Sequence, residues 1–383
     1  MQHILKALPR GAFDRIVNSH QADKHSKGFG CWDQLVAMVY AQLSGASSLR
    51  VLETGFNSQG THHYHLGTNP IRRSTLADSN VKRKAEVFAE TAQLLMSQAK
   101  RSLRRECEEL LYLLDSTSIT LKGRGFDTWT SGNGTRNTQG IKLHILYAGN
   151  EEVPILHSFT APNINDIDEG VKLEIEPGAV YVFDKGYCDY NWWNQINAQK
   201  ARFVTRFKRN AALKVESALP IPAEDADAIL KDEIVRFANL HPRGGRKNHY
   251  QEALRRVTID RPGNDPLVLA TNDLDSPATV IAQRYKERWG IELFFKWIKQ
   301  HLRIKNFLGR NENSVRIQIL TALITYLLLA LYRKAENYAG SLWILLAEVR
   351  ATLFQRPAIE AERYRRRTDA MAEFTARQGG LFV

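Results

Sequence analysis

Apolar residues recur with a helical period through residues 1–105 of the chain. Apolar positions spaced three and four residues apart, separated by short Gly, Ser and Asn breaks, are typical of amphipathic helices. The predicted helices span residues 12–18, 32–43, 48–56, 74–81 and about 82–105. We therefore predict an all-helical N-terminal domain over residues 1–105.

The pattern changes near residue 108, where short apolar runs replace the helical period. These runs predict strands at residues 109–115, 141–147, 153–160, 179–184 and 202–206. Helices are predicted at 163–175 and 189–199. Three strands in a meander, followed by helix, strand, helix and strand, are the connectivity of the ribonuclease-H-like fold. We therefore predict an α/β protein with a mixed five-stranded sheet and helices.

Three further parts complete the predicted domain plan. The ribonuclease-H-like catalytic domain takes residues 106–210 and 276–338, and it is interrupted by a β-rich insertion at 211–275. The most apolar run, Ile319–Tyr332, is too short and too polar for a membrane span, so it predicts a buried core helix. A helical tail with a basic cluster at 363–367 is predicted over residues 339–383.

One long helix is predicted over residues 276–303, with Ser276 as N-cap and Pro277 in the first turn. At about 100° of rotation per residue, four polar side chains fall on one face of it. We call this face the polar stripe: Tyr285, Arg288, Glu292 and Lys299. The opposite face is apolar and predicted to be buried, with Phe294, Trp297 and Ile298 at its centre and Ile291 and Leu293 flanking them.

Two aspartates sit at predicted strand ends, Asp115 after the first strand and Asp184 after the fourth. In a ribonuclease-H-like sheet these strands are neighbours, so both carboxylates would meet Glu292. Three carboxylates brought together repel one another unless a cation lies among them. Oxygen ligands favour Mg²⁺ or Mn²⁺, and two such ions can drive displacement at phosphorus. Taken singly, each aspartate also fits a strand-end cap, and Arg288–Glu292 also fits a surface i,i+4 pair.

Charge and cysteine content narrow the class of partner and compartment. The chain of 383 residues has 53 Lys+Arg against 41 Asp+Glu, a net charge of +12. This excess predicts a polyanionic partner, nucleic acid rather than a membrane, although a basic protein without such a partner has the same composition. The three cysteines form no CxxC pair, which disfavours a zinc site or disulfide framework and fits a reducing compartment.

The N-terminal helices also contain a turn pattern of interest. Helices split by small-residue turns and followed by residues 71–75 are typical of a helix-turn-helix, although a plain helical bundle fits equally well. In the first case, Arg72 and Arg73 would lie at the start of a DNA-recognition helix.

These motifs together resemble a known family. Asp115 in LLDSTSI, Asp184 in VFDKGY and the spacing Tyr-x2-Arg-x3-Glu-x6-Lys in the polar stripe resemble bacterial insertion-sequence transposases of the DDE class that carry a Tyr-Arg-Glu-Lys signature. Supporting matches are GIKLH with Lys142, RFVTRFK at 202–208 and the helical stretch FGCWDQLVAMVYAQLSGASSLR. The resemblance covers roughly residues 1–335.

The resemblance implies a function and a set of roles. The chain would cut DNA at terminal inverted repeats and transfer the strands to target DNA by cut-and-paste transposition. Asp115, Asp184 and Glu292 would be the catalytic residues and would hold two Mg²⁺ (or Mn²⁺) ions. DNA contacts would come from Tyr285, Arg288, Lys299, Arg206, Lys208 and Lys142. The family further implies a homodimer on double-stranded DNA in the bacterial cytoplasm, associated with the nucleoid.

The sequence departs from the family pattern in one respect, and two other functions also fit its residues. Some family members stack a tryptophan of the insertion on a flipped base, but residues 211–280 contain no Trp, one Tyr (Tyr250) and one Phe (Phe237). This puts a hairpin route of cleavage in doubt. The rivals are another ribonuclease-H-like nuclease and a transposase-derived, non-catalytic DNA-binding regulator.

Overall fold

The computed structural model describes residues 1–133, 138–241 and 245–353. The predicted tail at 339–383 is therefore described only in part, and its basic cluster at 363–367 lies outside the described residues.

Seven helices form the N-terminal region: the five that its apolar spacing predicted and two short ones, the first and the fifth, that it did not. They are α1 (Gln2–Leu5), α2 (Arg10–Ser19), α3 (Cys31–Ser44), α4 (Leu49–Asn57), α5 (Gly60–Leu66), α6 (Arg73–Lys82) and α7 (Glu86–Glu106). Their ends follow local chemistry. Gly45 closes α3 at φ 70°, a left-handed conformation that glycine adopts readily, and the Ser48 hydroxyl accepts from Val51 N at the start of α4.

The strands of the described residues form one sheet. They are β1 (Leu111–Thr120), β2 (Ser131–Asn133), β3 (Thr138–Ala148), β4 (Val153–Thr160), β5 (Val180–Phe183), β6 (Arg202–Arg206), β7 (Leu213–Ala218), β8 (Ile229–Phe237), β9 (Leu254–Ile259) and β10 (Leu267–Thr271). The order is β2-β3-β1-β5-β6-β10-β9-β8-β7, and β4 also pairs with β3. β1, β5 and β6 are parallel, whereas β3 and β4 form the predicted antiparallel meander.

The prediction of a five-stranded sheet is wrong, because the insertion does not form a sheet of its own. β10 pairs antiparallel with β6, Leu269 opposite Arg206, and β9, β8 and β7 continue the sheet from there. A free β6 would expose a row of unpaired backbone groups, and β10 satisfies them. The insertion is thereby fixed directly beside the strands that carry the acidic residues.

The helices between the strands differ from the prediction in two places. The helix predicted at 163–175 is only one short helix, α8 (Asp166–Gly170), whereas α9 (Tyr190–Ala198) matches its prediction. The single helix predicted at 276–303 is divided into α10 (Ala278–Glu287) and α11 (Trp289–His301). At the division, Arg288 N bonds Tyr285 O and Ile291 N bonds Arg288 O, which is the tighter 3₁₀ spacing.

Buried ion pairs anchor α10 to the sheet. Arg284 donates to Asp273 Oδ2 and to Glu109 Oε1, both at 2.7 Å. Burial pushes the pKa of Asp273 upward, but hydrogen bonds from Ser276 and Arg284 outweigh it and hold the pKa well below its usual range. Ser276 Oγ is thus bound to Asp273, and Pro277, not Ser276, is the N-cap of α10.

The most apolar helix, α12 (Glu312–Ala335), runs through the core and contacts α1, α3, α6 and α7 as well as β4. It is long and apolar enough to span a membrane, but its most apolar window is 83% buried inside the fold. The predicted core helix is therefore confirmed. α13 (Leu342–Ala351) follows it and packs on α12 and α3.

Candidate active site

Asp115 and Asp184 lie side by side where the parallel strands β1 and β5 meet. The register pairs Leu114 with Phe183, so the two aspartates take the next position on each strand. β5 ends at Phe183, whereas β1 continues to Thr120 in its pairing with β3. Asp115 is therefore in the interior of β1 and not at its end, and the end of β5 sets where the aspartates meet.

Glu292 is brought to the same place by α11, which packs on β1. Gly290 faces the strand, because a Cβ added there would lie 3.5 Å from Leu113 Cδ1, an ordinary van der Waals distance. Ile291 and Phe294 are buried, while the Glu292 side chain keeps 32% exposure. The negative charge of Glu292 raises the pKa of Asp115, which shows that the carboxylates interact.

Two arginines neutralise these acidic residues. Arg206 Nη2 donates to Asp184 Oδ1 at 2.6 Å, and Arg288 Nη2 donates to Glu292 Oε1 at 2.6 Å. The charge of Arg288 also lowers the pKa of both Asp115 and Asp184. A single guanidinium thus lies within electrostatic reach of all three carboxylates.

The pKa values of the two aspartates are shifted in opposite directions. Burial raises the pKa of Asp115 to about 6, against the opposing effects of a hydrogen bond from Ser116 N and the charge of Arg288. Burial also pushes the pKa of Asp184 upward, but the hydrogen bond and charge of Arg206 outweigh it, so the pKa is lowered. Asp115 is therefore the carboxylate that lacks a direct cationic partner.

The donor set suits a hard cation, although the side chains are not in a ligating arrangement. Three carboxylates converge, and burial makes a charge on Asp115 costly unless a cation offsets it. Over the described ranges, no three His, Cys, Asp or Glu side chains are grouped closely enough to hold a metal. Arg206 and Arg288 occupy the carboxylate oxygens, so these arginines would have to release them for a cation to bind.

Comparison with known proteins identifies the family. The family described as transposase DDE domain matches residues 106–328, which include β1, β5, α11 and all three acidic residues. The chain belongs to this transposase family. Residues 1–69 match a domain of unknown function (DUF4372).

Several relatives of this transposase carry similar names. It is 42% identical to the putative transposase y4zB of Sinorhizobium fredii, over 75% of this chain and 78% of the relative. It is 28% identical to a probable insertion-sequence transposase of Geobacillus stearothermophilus, over 66% of each chain. A cryo-EM structure of the piggyBac transposase synaptic complex with hairpin DNA superposes with a TM-score of 0.49 and 10% identity, covering 96% of this chain and 83% of that one.

The other members of the polar stripe lie close to the carboxylates but are less exposed than predicted. Tyr285 is only 8% exposed, and the guanidinium of Arg288 lies 5.7 Å from its ring centroid. Lys299 is half-buried and donates to Thr117 Oγ1 and, at 3.4 Å, to Ser118 O. Lys299 therefore reaches across to β1, beyond Asp115 along the strand.

The apolar face of α11 is narrower than the sequence suggested. Phe294 and Ile298 are 2% and 1% exposed, as predicted. Leu293 is 50% exposed, so its predicted burial is wrong. Trp297 is only partly buried and lines an open pocket beside α13. The buried face of α11 therefore centres on Phe294 and Ile298.

The transposase has a fourth carboxylate at this site that sequence reasoning missed. Asp166 Oδ1 accepts from Ser116 Oγ at 2.6 Å and from Lys142 Nζ at 3.2 Å, and it lies 3.9 Å from His144 Nδ1. Its charge raises the pKa of Asp115. GIKLH lies on β3, which pairs with β1 beside Asp115, so the sequence indicated that Lys142 is near the site. It did not indicate that α8, which carries Asp166, packs there.

Lys142 is placed inside the protein and not on a DNA-facing surface. It is 5% exposed, and its ammonium donates to Ile164 O at 2.6 Å as well as to Asp166. With both acceptors internal, its position suits support of Asp166 better than contact with a duplex. Lys208 by contrast is exposed, bonds Cys188 O at 3.0 Å, and shares a cleft with Arg206.

The aromatic residues of the insertion are not available for base stacking. Tyr250 is 1% exposed, and the Phe237 ring packs 4.1 Å from that of Tyr190. Both rings belong to the core between α9 and the sheet, which deepens the doubt about a hairpin route.

Arg72 and Arg73 lie exposed at the start of α6, as the helix-turn-helix prediction requires. Arg73 N donates to Glu53 Oε1 at 3.0 Å, which fixes the start of α6 against α4. Both guanidinium groups remain on the surface of the N-terminal region.

We expect Arg72→Gln/Arg73→Gln to weaken binding of the full-length transposase to its own terminal repeat. Each lost phosphate contact should reduce the slope of log affinity against log salt by about 1. The full chain is required because α3 and α7 pack on α12. The matched control is Arg15→Gln/Lys24→Gln, two exposed cations on and after α2. Equal salt slopes for both double variants would exclude α6 from the DNA interface.

Proposed function

We propose that this transposase cuts DNA at the terminal inverted repeats of its element and joins the freed ends to target DNA, with Asp115, Asp184 and Glu292 as the catalytic acids. The observation that carries the proposal is the convergence of these three carboxylates around one guanidinium, that of Arg288. A structural ion-pair network would match each acid with its own cation. Here Asp115 is half-buried and, among the residues that the structure describes, has no ion-pair partner.

The proposed cofactor is Mg²⁺ or Mn²⁺, two ions per site, held by Asp115, Asp184 and Glu292. Such ions activate a water or a 3′-hydroxyl and stabilise the leaving oxygen at phosphorus. The carboxylates of this chain supply the negative charge that binds them. Arg206 and Arg288 hold those carboxylates in place in the absence of the ions, which limits their mutual repulsion.

The chain's own cations are proposed to hold the DNA. Once Arg288 leaves Glu292, its planar fork can take two oxygens of one phosphate, while Lys299 offers a point charge farther along α11. Tyr285 borders the same space and has a hydroxyl to donate. Arg206 and Lys208 would extend the contact surface towards the insertion.

The proposal includes an architecture. The meander β1, β3 and β4 followed by parallel β5 and β6 supports a ribonuclease-H-like core at 106–210 and 276–338, with the insertion at 211–275 joined to its edge. Residues 1–105 would bind DNA, and 339–383 would form the tail. From the family resemblance we add a homodimer that holds two DNA ends, acting in the bacterial cytoplasm at the nucleoid.

The decisive experiment is a cleavage assay. Purified protein is incubated with Mn²⁺ or Mg²⁺ and a DNA fragment that carries the terminal repeats found beside its gene. Nicks or breaks mapped to the repeat ends support the proposal, while a fragment with scrambled ends controls for unspecific nuclease activity. Specific binding without any cleavage under either metal would contradict it and favour a regulator.

The raised pKa of Asp115 leads to a separate test of its buried charge. In EDTA, we expect Asp115→Asn to increase the free energy of unfolding above pH 6. The pKa near 6 in the folded protein, against an ordinary 3.8, means that this carboxyl's contribution to stability is complete below pH 3.8 and is lost as pH rises through 6. The loss is at most about 3 kcal/mol, and Asn avoids it.

The measurement is chemical unfolding of both proteins between pH 4 and 8. The gain from Asp115→Asn should shrink towards pH 4, and Mg²⁺ should raise the melting temperature of the unchanged protein more than that of the variant. The compared quantity is the stability of Asp115→Asn minus that of the unchanged protein. If this difference is lower at pH 8 than at pH 4, the charge of Asp115 is well compensated.

A further inference from the structure

A cluster of cations lines a pocket just beyond the C-terminal end of α11. The pocket has a volume of about 560 Å³ and lies where α11 and the loop after it meet the end of α3 and α13. Four of its lining residues are cationic: Lys299, Arg303, Lys305 and Arg350. We refer to it as the basic pocket. Only Lys299 among them belongs to the polar stripe.

No carboxylate of the described residues lines the basic pocket or pairs with its four cations. Arg350 donates Nε to Leu43 O at 2.8 Å and Nη2 to His301 O at 2.7 Å, and Arg303 Nη2 donates to Gly45 O. Lys305 is exposed. The two arginines thus join the C-terminal ends of α3 and α11, where cations are favourable.

The hydrogen bonds to the helix ends occupy only some of the N–H donors of Arg303 and Arg350. In the described part of the chain, Nη1 of Arg303 and of Arg350 has no hydrogen-bond partner, which leaves donors for an incoming anion. Burial and then the charge of Lys305 lower the pKa of Lys299, and burial and then the charge of Arg303 lower that of Arg350. The cations therefore repel one another, and an anion among them would relieve this repulsion.

The distance between the basic pocket and the carboxylates indicates which kind of anion the pocket binds. Lys299 follows Glu292 by two helical turns, roughly 10 Å at 1.5 Å per residue. Successive base pairs of a duplex rise roughly 3.4 Å, so for a duplex that runs along α11 the pocket lies about three base pairs from a phosphate at the proposed metal site beside Glu292. Two guanidinium groups and two ammonium groups match the phosphodiesters of a DNA backbone.

We propose that the basic pocket binds backbone phosphates of the transposon end about three base pairs or more from the cleaved bond. This proposal rests on the function proposed above, because the distance is measured from Glu292. It assigns a DNA-positioning role to Arg303, Lys305 and Arg350. Because the end of α3 and α13 also line the pocket, the N-terminal helices would help to orient the DNA.

The first test introduces a negative charge into the basic pocket. Gln300 is exposed on the last turn of α11 and lines the pocket. Gln300→Glu should weaken binding of a duplex of the element's own end roughly five- to tenfold without lowering the melting temperature, because the new carboxylate repels phosphate but pairs with the cations. Gln195→Glu, at an exposed position near the end of α9, is the matched control and should bind as the unchanged protein does.

The second test locates the contact. Lys305→Gln is compared with a control, Lys334→Gln. Lys334 lies near the end of α12 and is already paired with Glu106 and Glu151. Duplexes with a single uncharged methylphosphonate are tested at each position from one to eight base pairs from the cleavage site. Lys305→Gln should reduce the slope of log affinity against log salt by about 1. A methylphosphonate at one or two positions near the third base pair should lower the affinity of the unchanged protein but not that of this variant.

Three outcomes separate the possibilities. Additive effects of Lys305→Gln and methylphosphonate at every position overturn the proposal. If inorganic phosphate, at ionic strength matched with chloride, raises the melting temperature while both variants bind the duplex normally, the pocket is a free-anion site and the DNA assignment is wrong. If the unchanged protein binds and cuts its ends, the proposed function stands whatever the variants do, so the two failures are distinguishable.

Discussion

Asp115→Asn, Asp184→Asn and Glu292→Gln are each expected to reduce strand cleavage by at least about 1,000-fold. Each change keeps the shape of the side chain but removes one of the charges proposed to hold the metal ions, and a loss of about 4 kcal/mol of transition-state stabilisation has this effect. Binding of end DNA should persist or tighten slightly, because a carboxylate near the phosphates has been removed. The measurement is cleavage of a labelled repeat-bearing fragment, with binding followed in EDTA.

The matched control for this prediction is Glu287→Gln. Glu287 is exposed on the last turn of α10, five positions before Glu292, and lines the pocket beside Trp289 instead of the acidic site. It should cleave as the unchanged protein does. Cleavage within tenfold of the unchanged protein in any of the three acid variants would remove that residue from the catalytic centre.

Arg288→Ala is expected to have the second largest effect, and the structure changes what is expected of it. From sequence alone, a residue of the polar stripe should tolerate loss with little change in stability. The Arg288 side chain is in fact 16% exposed and bonded to Glu292, and its charge acts on Asp115 and Asp184. Removing it leaves Glu292 without its ion-pair partner and Asp115 without a nearby positive charge, while Asp184 keeps Arg206. We therefore expect a stability loss of roughly 1–3 kcal/mol in EDTA and cleavage reduced by more than about 100-fold.

Magnesium should separate the two roles of Arg288. If the carboxylates bind Mg²⁺, the ion replaces the missing positive charge, so the stability of Arg288→Ala should recover in Mg²⁺ while cleavage and end binding stay impaired. Phe294→Ala is the control, because Phe294 is 2% exposed on the apolar face of α11 and its loss should cost about 3–5 kcal/mol with or without Mg²⁺. Thermal and chemical unfolding in both buffers measure this. A stability gap for Arg288→Ala that Mg²⁺ leaves unchanged would contradict the metal site.

Phe294 is a better control than Trp297 for the loss of buried apolar contacts. Trp297, which the sequence places at the centre of the buried face, lines an open pocket and is only partly buried. Its truncation would remove fewer contacts than that of Phe294.

Local sequence was sufficient for the strands that precede Asp115 and Asp184 and for most of the polar and apolar faces of α11. The apolar runs before Asp115 and Asp184 are strands because buried parallel strands need continuous apolar residues. The helical period placed Glu292 and Arg288 on one face, and it placed Phe294 and Ile298 on the other. These features depend on neighbours within a few residues, which the sequence period records.

Contacts between distant parts of the chain were decided only by the tertiary structure. The pairing of β10 with β6, the bond from Arg206 to Asp184 and the approach of Asp166 to Ser116 join residues whose sequence spacing carries no signal. The basic pocket likewise brings Arg303, in the loop after α11, together with Arg350 of α13. Sequence thus determined which carboxylates, cations and apolar faces this transposase has. Packing determined which cation meets which carboxylate, because side-chain pairing depends on distances that only the folded chain sets.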